Sequence, residues 1–111
     1  MGTLIYDGQT AEIPMDDRAL AHLQLVIISK LRRRESFAFS WKDAPAAGDG
    51  RSSVWIHPEI SLRFKFAGSR PPAINQQWVT ALTNSANSSS GLHLIPEPPE
   101  ASSAPTIQTP R

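Results

Sequence analysis

The chain has 111 residues, with 11 Lys and Arg against 10 Asp and Glu and 40% hydrophobic residues, so we predict one small domain. It contains no cysteine, which excludes a disulfide-stapled module, a thiolate metal site and a cysteine nucleophile. No apolar run approaches the roughly 18 residues that a membrane-spanning helix needs. We therefore expect a cytoplasmic protein without a membrane partner.

The near-neutral net charge hides a segregation along the chain. Residues 1–17 hold four acids and no base, whereas residues 18–70 hold ten Lys and Arg against four acids. Residues 71–111 carry one base and two acids. A basic middle segment of this kind favours an anionic partner, either a nucleic acid or an acidic protein surface.

The chain begins with a predicted β-hairpin that is followed by a helix. Two short strands, residues 3–6 and 10–13, flank Asp7-Gly8, which is a strong hairpin signal. Asp16 or Asp17 is predicted to cap the helix. The apolar residues of this helix recur at every third or fourth position, which predicts one buried stripe: Leu20, Leu23, Ile27 and Leu31.

Three further strands and a second helix are predicted downstream. Apolar and polar residues alternate over residues 36–42 and 60–66, so each of these strands has one buried and one solvent face. Residues 53–57 form a strand between them. Pro71-Pro72 is expected to end the strand region and open the second helix, and residues 92–95 form a last short strand.

The predicted order of elements, ββαβββαβ, indicates the α+β class. It favours an antiparallel or mixed sheet with two helices packed on one face. The domain is predicted to span residues 1–95. Residues 96–111 are rich in Pro and Ser and contain Ile107 as the only large apolar side chain, so we predict a disordered tail.

The candidate binding residues lie on the solvent faces of the strands and at the end of the first helix. Basic side chains beside an exposed aromatic ring are typical of surfaces that hold single-stranded nucleic acid, because phosphates pair with the cations and a nucleobase stacks on the ring. The alternatives are a solvated sheet face and a basic helix end that only complements the helix dipole. The predicted interface consists of Lys30, Arg32, Arg33, Lys42, Trp55, His57, Arg63 and Lys65.

No motif for catalysis or for a cofactor stands out in the sequence. The three histidines lie on different predicted elements, and no serine lies in a Gly-x-Ser-x-Gly elbow. The usual glycine-rich phosphate-binding loops are absent as well. The sequence therefore predicts a non-enzymatic module with no catalytic residue, no metal ligand and no cofactor.

Five segments carry a resemblance to a known group of proteins. They resemble a family of short actinobacterial proteins of unknown function, of the Microbacteriaceae type, commonly labelled "ATP-dependent DNA ligase". The segments are Asp16-Asp17-Arg18-Ala19-Leu20-Ala21-His22-Leu23, Lys30-Leu31-Arg32-Arg33, Glu35-Ser36-Phe37-Ala38-Phe39-Ser40-Trp41, Gly50-Arg51-Ser52-Ser53-Val54-Trp55-Ile56-His57-Pro58, and Ala86-Asn87-Ser88 with Gly91-Leu92.

The label implies a nucleophilic lysine in a Lys-x-Asp-Gly motif. The lysine position of that motif holds Ile5 before Asp7-Gly8 and Ala47 before Asp49-Gly50. The resemblance and the sequence together leave two functions open as alternatives to nucleic-acid binding. One is the ligase activity that the label implies, and the other is a protein-interaction module or homodimer that uses an exposed sheet edge or the Pro-rich tail.

Overall fold

The structure is a computed structural model and describes residues 1–43, 48 and 50–99. Within these residues the order of strands and helices is ββαβββαβ, which confirms the α+β class. The elements are β1 (Gly2–Tyr6), β2 (Ala11–Met15), α1 (Asp17–Arg32), β3 (Phe37–Lys42), β4 (Arg51–Ile56), β5 (Leu62–Lys65), α2 (Gln76–Ala86) and β6 (Leu92–His93).

The described strands form two three-stranded sheets, whereas the sequence suggested one. The first sheet has the order β2-β1-β5 and is antiparallel throughout. The second has the order β4-β3-β6 and is mixed, because β3 pairs antiparallel with β4 and parallel with β6. Alternation of apolar residues indicates which face of a strand is buried, but it does not indicate the neighbouring strand. β5 accordingly pairs with β1 and not with β4, which precedes it in the chain.

Helix α1 begins where its sequence predicts. The carboxylate of the N-cap residue Asp16 accepts a hydrogen bond from the Ala19 N–H at 2.7 Å. The next residue, Asp17, accepts hydrogen bonds from the N–H groups of Ala67 and Gly68 at 3.0 and 2.8 Å. These bonds hold the pKa of the Asp17 carboxyl below its usual value and tie the segment after β5 to the start of the helix.

Helix α2 begins later than Pro71-Pro72. Its N-cap is Asn75, whose side-chain oxygen accepts from the N–H of Gln77 at 3.0 Å. A residue that precedes a proline is pushed toward extended conformations, so two consecutive prolines delay a helix until a capping residue is available. Ile74 consequently lies before the helix and not on its buried stripe.

One hydrophobic core is shared by the two sheets and the two helices. α1 packs on β1 and α2 packs on β3 and β6, so each sheet has a helix on its inner face and the two helices contact each other. The largest fully buried apolar side chains come from both sheets and both helices: Phe39, Leu4, Leu20, Leu23, Ile27, Ile56, Leu82 and Leu92.

Residues 95–98 pack against the N-terminal ends of both helices. The guanidinium of Arg18 forms a two-point ion pair with Glu97, at 2.8 and 2.6 Å. The Asn75 side-chain amide donates to the Pro98 carbonyl at 2.9 Å, and the Trp78 indole donates to the Ile95 carbonyl at 2.7 Å. The first residues of the predicted tail are thus held in place, while its remainder, 100–111, lies outside the described residues.

The Glu97 contacts predict how stability depends on pH. Hydrogen bonds from Arg18 and from Asn75 lower the pKa of Glu97 from 4.5 to about 2. Because the pKa is lower in the folded state, the stabilisation is complete above pH 4.5 and is lost as the pH falls toward 2. Urea unfolding at pH 6 and pH 3 should therefore show a smaller loss of stability on acidification for Glu97→Gln than for the wild type.

A matched control for this experiment is Glu12→Gln. Glu12 is exposed on β2 and forms no ion pair within the described ranges, yet its replacement changes the net charge by the same amount. We expect this variant to follow the wild type across the same pH interval. Equal behaviour of the two variants would show that the ion pair with Arg18 contributes nothing to the acid sensitivity.

Candidate functional site

The outer face of the second sheet collects polar and basic side chains around one tryptophan. Phe39 and Ile56 point into the core, so their neighbours along β3 and β4 point outward. The strand register then places Ala38 opposite Trp55, Ser40 opposite Ser53 and Lys42 opposite Arg51. We call this surface the outer face. At its centre the hydroxyl oxygens of Ser40 and Ser53 lie 2.6 Å apart and form a hydrogen bond.

Trp55 marks one end of the outer face. Its side chain is 56% exposed, although it is one of the largest apolar side chains in the protein. The Tyr6 hydroxyl donates a hydrogen bond to the Trp55 carbonyl at 2.6 Å and so links the first sheet to β4. The backbone is therefore held while the indole ring stays open to a ligand.

The other end of the outer face opens into a groove of about 840 Å³, which we call the basic groove. It exists because β6 pairs only with Phe39 and Ser40, so that β3 extends past it. Lys42, Arg51 and His93 line it with polar groups. Its other lining residues are Ile13, Pro14, Ser40, Trp41, Ser53 and Leu94, and none of the described acidic residues contributes to it.

The charge of the basic groove is positive. Lys42 and Arg51 are at directly facing positions of two neighbouring strands, which concentrates positive charge at the end of the sheet. Arg51 is exposed and forms no ion pair with any residue that the structure describes. The exposed guanidinium of Arg51 can pair with an anion in the groove, so the arrangement favours an anionic ligand.

The other predicted interface residues lie elsewhere. Arg63 and Lys65 are exposed on β5, where they face Ile5 and Thr3 of the first sheet. His57 follows β4, is half-buried, and its carbonyl accepts from the Ile60 N–H at 3.0 Å. The basic residues that appear equivalent in the sequence are separated because β4 and β5 belong to different sheets.

Lys30 lies in the interior and not on the surface. It is 7% exposed and its ammonium donates to the Asn87 side-chain oxygen at 2.7 Å. It also lies 3.0 Å from the Glu35 carboxylate and 5.6 Å from the centre of the Phe37 ring. Position 30 follows Ile27 by one helical turn on the buried stripe, so the side chain joins the ends of α1 and α2 instead of facing a ligand.

Much of the basic run at the end of α1 is neutralised by nearby acids. Arg33 pairs with Glu35 at 3.2 Å, and Arg34 pairs with Glu59 at 3.0 Å. Hydrogen bonds from Arg33 and from Lys30 lower the pKa of the Glu35 carboxyl. Arg32 is exposed and forms no ion pair within the described part of the chain. This helix end therefore presents less positive charge than its sequence indicates.

Sequence reasoning missed Arg51 and His93 as members of the candidate site. Arg51 could have been found, because extending the alternation of Trp55 and Ser53 by two residues places it on the same face of β4. His93 has no comparable local signal. It reaches the site because β6 pairs in parallel with β3, a strand more than fifty residues earlier in the chain.

The fold and this surface define a small α+β domain with a basic groove at one end of a mixed sheet. The chain belongs to a family described as a domain of unknown function (DUF7882), whose model matches residues 1–97. No curated protein and no solved structure matches the chain. In the described ranges no helix is long and apolar enough to cross a membrane, and no group of His, Asp and Glu could hold a metal ion.

Proposed function

We propose that the protein is a non-enzymatic module that binds single-stranded nucleic acid on the outer face of its second sheet. One observation carries the proposal. The exposed ring of Trp55 and the basic groove, lined by Lys42, Arg51 and His93, lie at opposite ends of one continuous strand face. This combination supplies both a platform for a nucleobase and cations for phosphates.

The spacing of the outward-facing residues along β4 suits a flexible single-stranded nucleic acid better than a compact anion. Arg51, Ser53 and Trp55 are alternate residues of one strand, so the first and last are separated by about 13 Å at ~3.3 Å per residue. A phosphate at one end and a stacked base at the other would belong to different nucleotides. A duplex keeps its bases stacked inside the helix and leaves no base face for Trp55, so we propose a preference for single strands.

The proposal is tested with a labelled single-stranded oligonucleotide and with the duplex of the same sequence. The affinity for the single strand should be higher and should fall as salt is added, because each phosphate contact releases counterions. Trp55→Ala should weaken binding by about 5- to 150-fold, the loss expected for one stacked base. Trp55→Phe should retain part of the affinity, since the smaller ring still offers a face.

Arg51→Gln tests the electrostatic half of the proposal. It should weaken binding and reduce the slope of affinity against salt by about one phosphate contact. The matched control is Arg70→Gln. Arg70 is also exposed and forms no ion pair within the described residues, but it lines a different groove, of about 320 Å³, between α1 and the segment before α2.

Four results would contradict the proposal: no binding at low salt, binding that does not respond to salt, a duplex preferred to the single strand, or equal losses for Arg51→Gln and Arg70→Gln. The same samples address the two alternatives. A covalent adenylate on Lys42 or Lys65 after incubation with labelled ATP would instead support the ligase activity in the label of the similar actinobacterial proteins. A dimer in light scattering would support the homodimer, which an edge strand such as β4 or the Pro-rich tail would mediate.

A further inference from the structure

The basic groove is amphipathic, which phosphate contacts alone do not explain. Beside Arg51 and His93 it is lined by Pro14 of β2 and by Trp41 and Leu94. Leu94 is 37% exposed, and the Trp41 ring is half-buried and stacks on Phe39 with a centroid distance of 5.5 Å. One groove therefore offers both an apolar wall and polar groups, among them the cationic guanidinium of Arg51.

We propose that the basic groove receives one nucleoside phosphate of the bound strand. The base packs against Pro14, Trp41 and Leu94, and its phosphate pairs with Arg51 and His93. This inference rests on the proposed function and deepens it, because it assigns two base sites to the protein: the open ring of Trp55 and the basic groove.

The size and the chemistry of the groove fit this ligand class. Its volume of about 840 Å³ lies within the range of about 300–1,000 Å³ that is usual for small-molecule sites. A bare phosphate would leave the wall of Trp41 and Leu94 uncovered, whereas an apolar ligand would leave Arg51 without an anion. The hydroxyls of Ser40 and Ser53 provide donor and acceptor capacity for the edge of a base.

The test compares three small probes that share a phosphate: adenosine 5′-monophosphate, ribose 5-phosphate and inorganic phosphate. Titrations followed by nuclear magnetic resonance should show the mononucleotide shifting the Trp41 indole and Leu94 methyl signals. Its affinity should exceed that of ribose 5-phosphate by about 10-fold, because only the mononucleotide carries a base that can stack. Inorganic phosphate should affect Arg51 and His93 but leave the apolar wall unchanged.

Leu94→Asp should remove the advantage of the mononucleotide over ribose 5-phosphate. Its matched control is Leu25→Asp, since Leu25 is a leucine of similar exposure, 45%, that lines the other groove. Leu94→Ala serves as a second variant if the aspartate disturbs folding, and it should lower the affinity for the mononucleotide in the same direction. Arg51→Gln should weaken the binding of all three probes.

The outcomes separate this inference from the proposed function. Equal affinities for the mononucleotide and ribose 5-phosphate would overturn the base site in the groove, even when the oligonucleotide binds with the expected salt dependence. A mononucleotide that binds as expected without any binding of the oligonucleotide would overturn the strand proposal and leave a nucleotide site. A loss of mononucleotide affinity in Leu25→Asp equal to that in Leu94→Asp would also overturn the groove assignment.

Discussion

Replacing Gly91 by alanine is expected to lower the free energy of unfolding by about 2–5 kcal/mol, the largest loss among the substitutions proposed for this protein. Gly91 has a φ of +88° between α2 and β6. An added Cβ would lie 2.7 Å from the carbonyl oxygen of Ala38 and 3.2 Å from its Cβ. The variant therefore suffers both the left-handed strain of a side chain and a clash with the backbone of β3.

Gly8→Ala provides the matched control. Gly8 also has a positive φ, +63°, in the turn between β1 and β2, but an added Cβ would have no neighbour within 4 Å. This variant should lose only the conformational part, about 1–2 kcal/mol. Urea unfolding followed by tryptophan fluorescence measures both values. Equal losses of unfolding free energy in the two variants would mean that the close approach of Gly91 to β3 does not add to the cost of the substitution.

The Gly91 variant also bears on the candidate site. His93 and Leu94 lie two and three residues after Gly91, and both line the basic groove. The close contact with Ala38 sets the register in which β6 lies beside β3. Any folded fraction of Gly91→Ala should therefore bind the mononucleotide more weakly than Gly8→Ala, because Gly8 lies in the turn between β1 and β2 and does not line the groove.

The second large effect is expected for His22→Leu, which should lower the free energy of unfolding by about 2–3 kcal/mol. The imidazole is fully buried and bridges α1 to the start of α2. Its Nε2 accepts from the Asn75 N–H at 2.8 Å, so the ring proton is on Nδ1, which donates to the Arg18 carbonyl at 2.6 Å. Leucine keeps the volume but leaves the buried Asn75 N–H without an acceptor.

Two further variants test this explanation. His22→Gln retains a side-chain oxygen that can accept from the Asn75 N–H, so it should recover part of the lost stability. His93→Leu, at an exposed histidine, should change stability by no more than about 0.5 kcal/mol. Denaturant midpoints of the three proteins give the comparison. A glutamine variant no more stable than the leucine variant would show that packing against Trp78, whose ring centre is 4.5 Å away, explains the effect instead.

The effect of His22 should extend beyond stability. Asn75 also donates its side-chain amide to Glu97 and to the Pro98 carbonyl, so the buried histidine supports the segment that follows β6. The Trp78 indole N–H, which donates to the Ile95 carbonyl, should exchange its hydrogen faster in His22→Leu than in the wild type, because the accepting segment depends on the position of Asn75.

Local sequence patterns predicted the structure correctly where that structure depends on residues close together in the chain. The helix cap at Asp16, the Asp7-Gly8 turn and the buried residues Phe37 and Phe39 agree with expectation, because caps, turns and strand alternation depend on a few adjacent residues. The α+β class followed from the order of these elements.

The candidate site could be predicted only in part. Lys42 and Trp55 share the outer face, as the alternation along their strands indicates. Arg63 and Lys65 show equally clear alternation but belong to the other sheet. Lysine is usually an exposed residue, yet α1 places Lys30 in the interior, where its ammonium lies beside the Glu35 carboxylate.

By itself, then, the sequence determined the elements, their order and the buried side of most of them, since these depend on short-range periodicity and on capping. Only the tertiary structure decided that β5 joins β1, that β6 lies in parallel beside β3 and that Arg51 and His93 meet at one groove. Those pairings depend on contacts between residues far apart in the chain, and period-two patterns carry no information about partner strands. The groove is a product of these pairings, so no local motif encodes it.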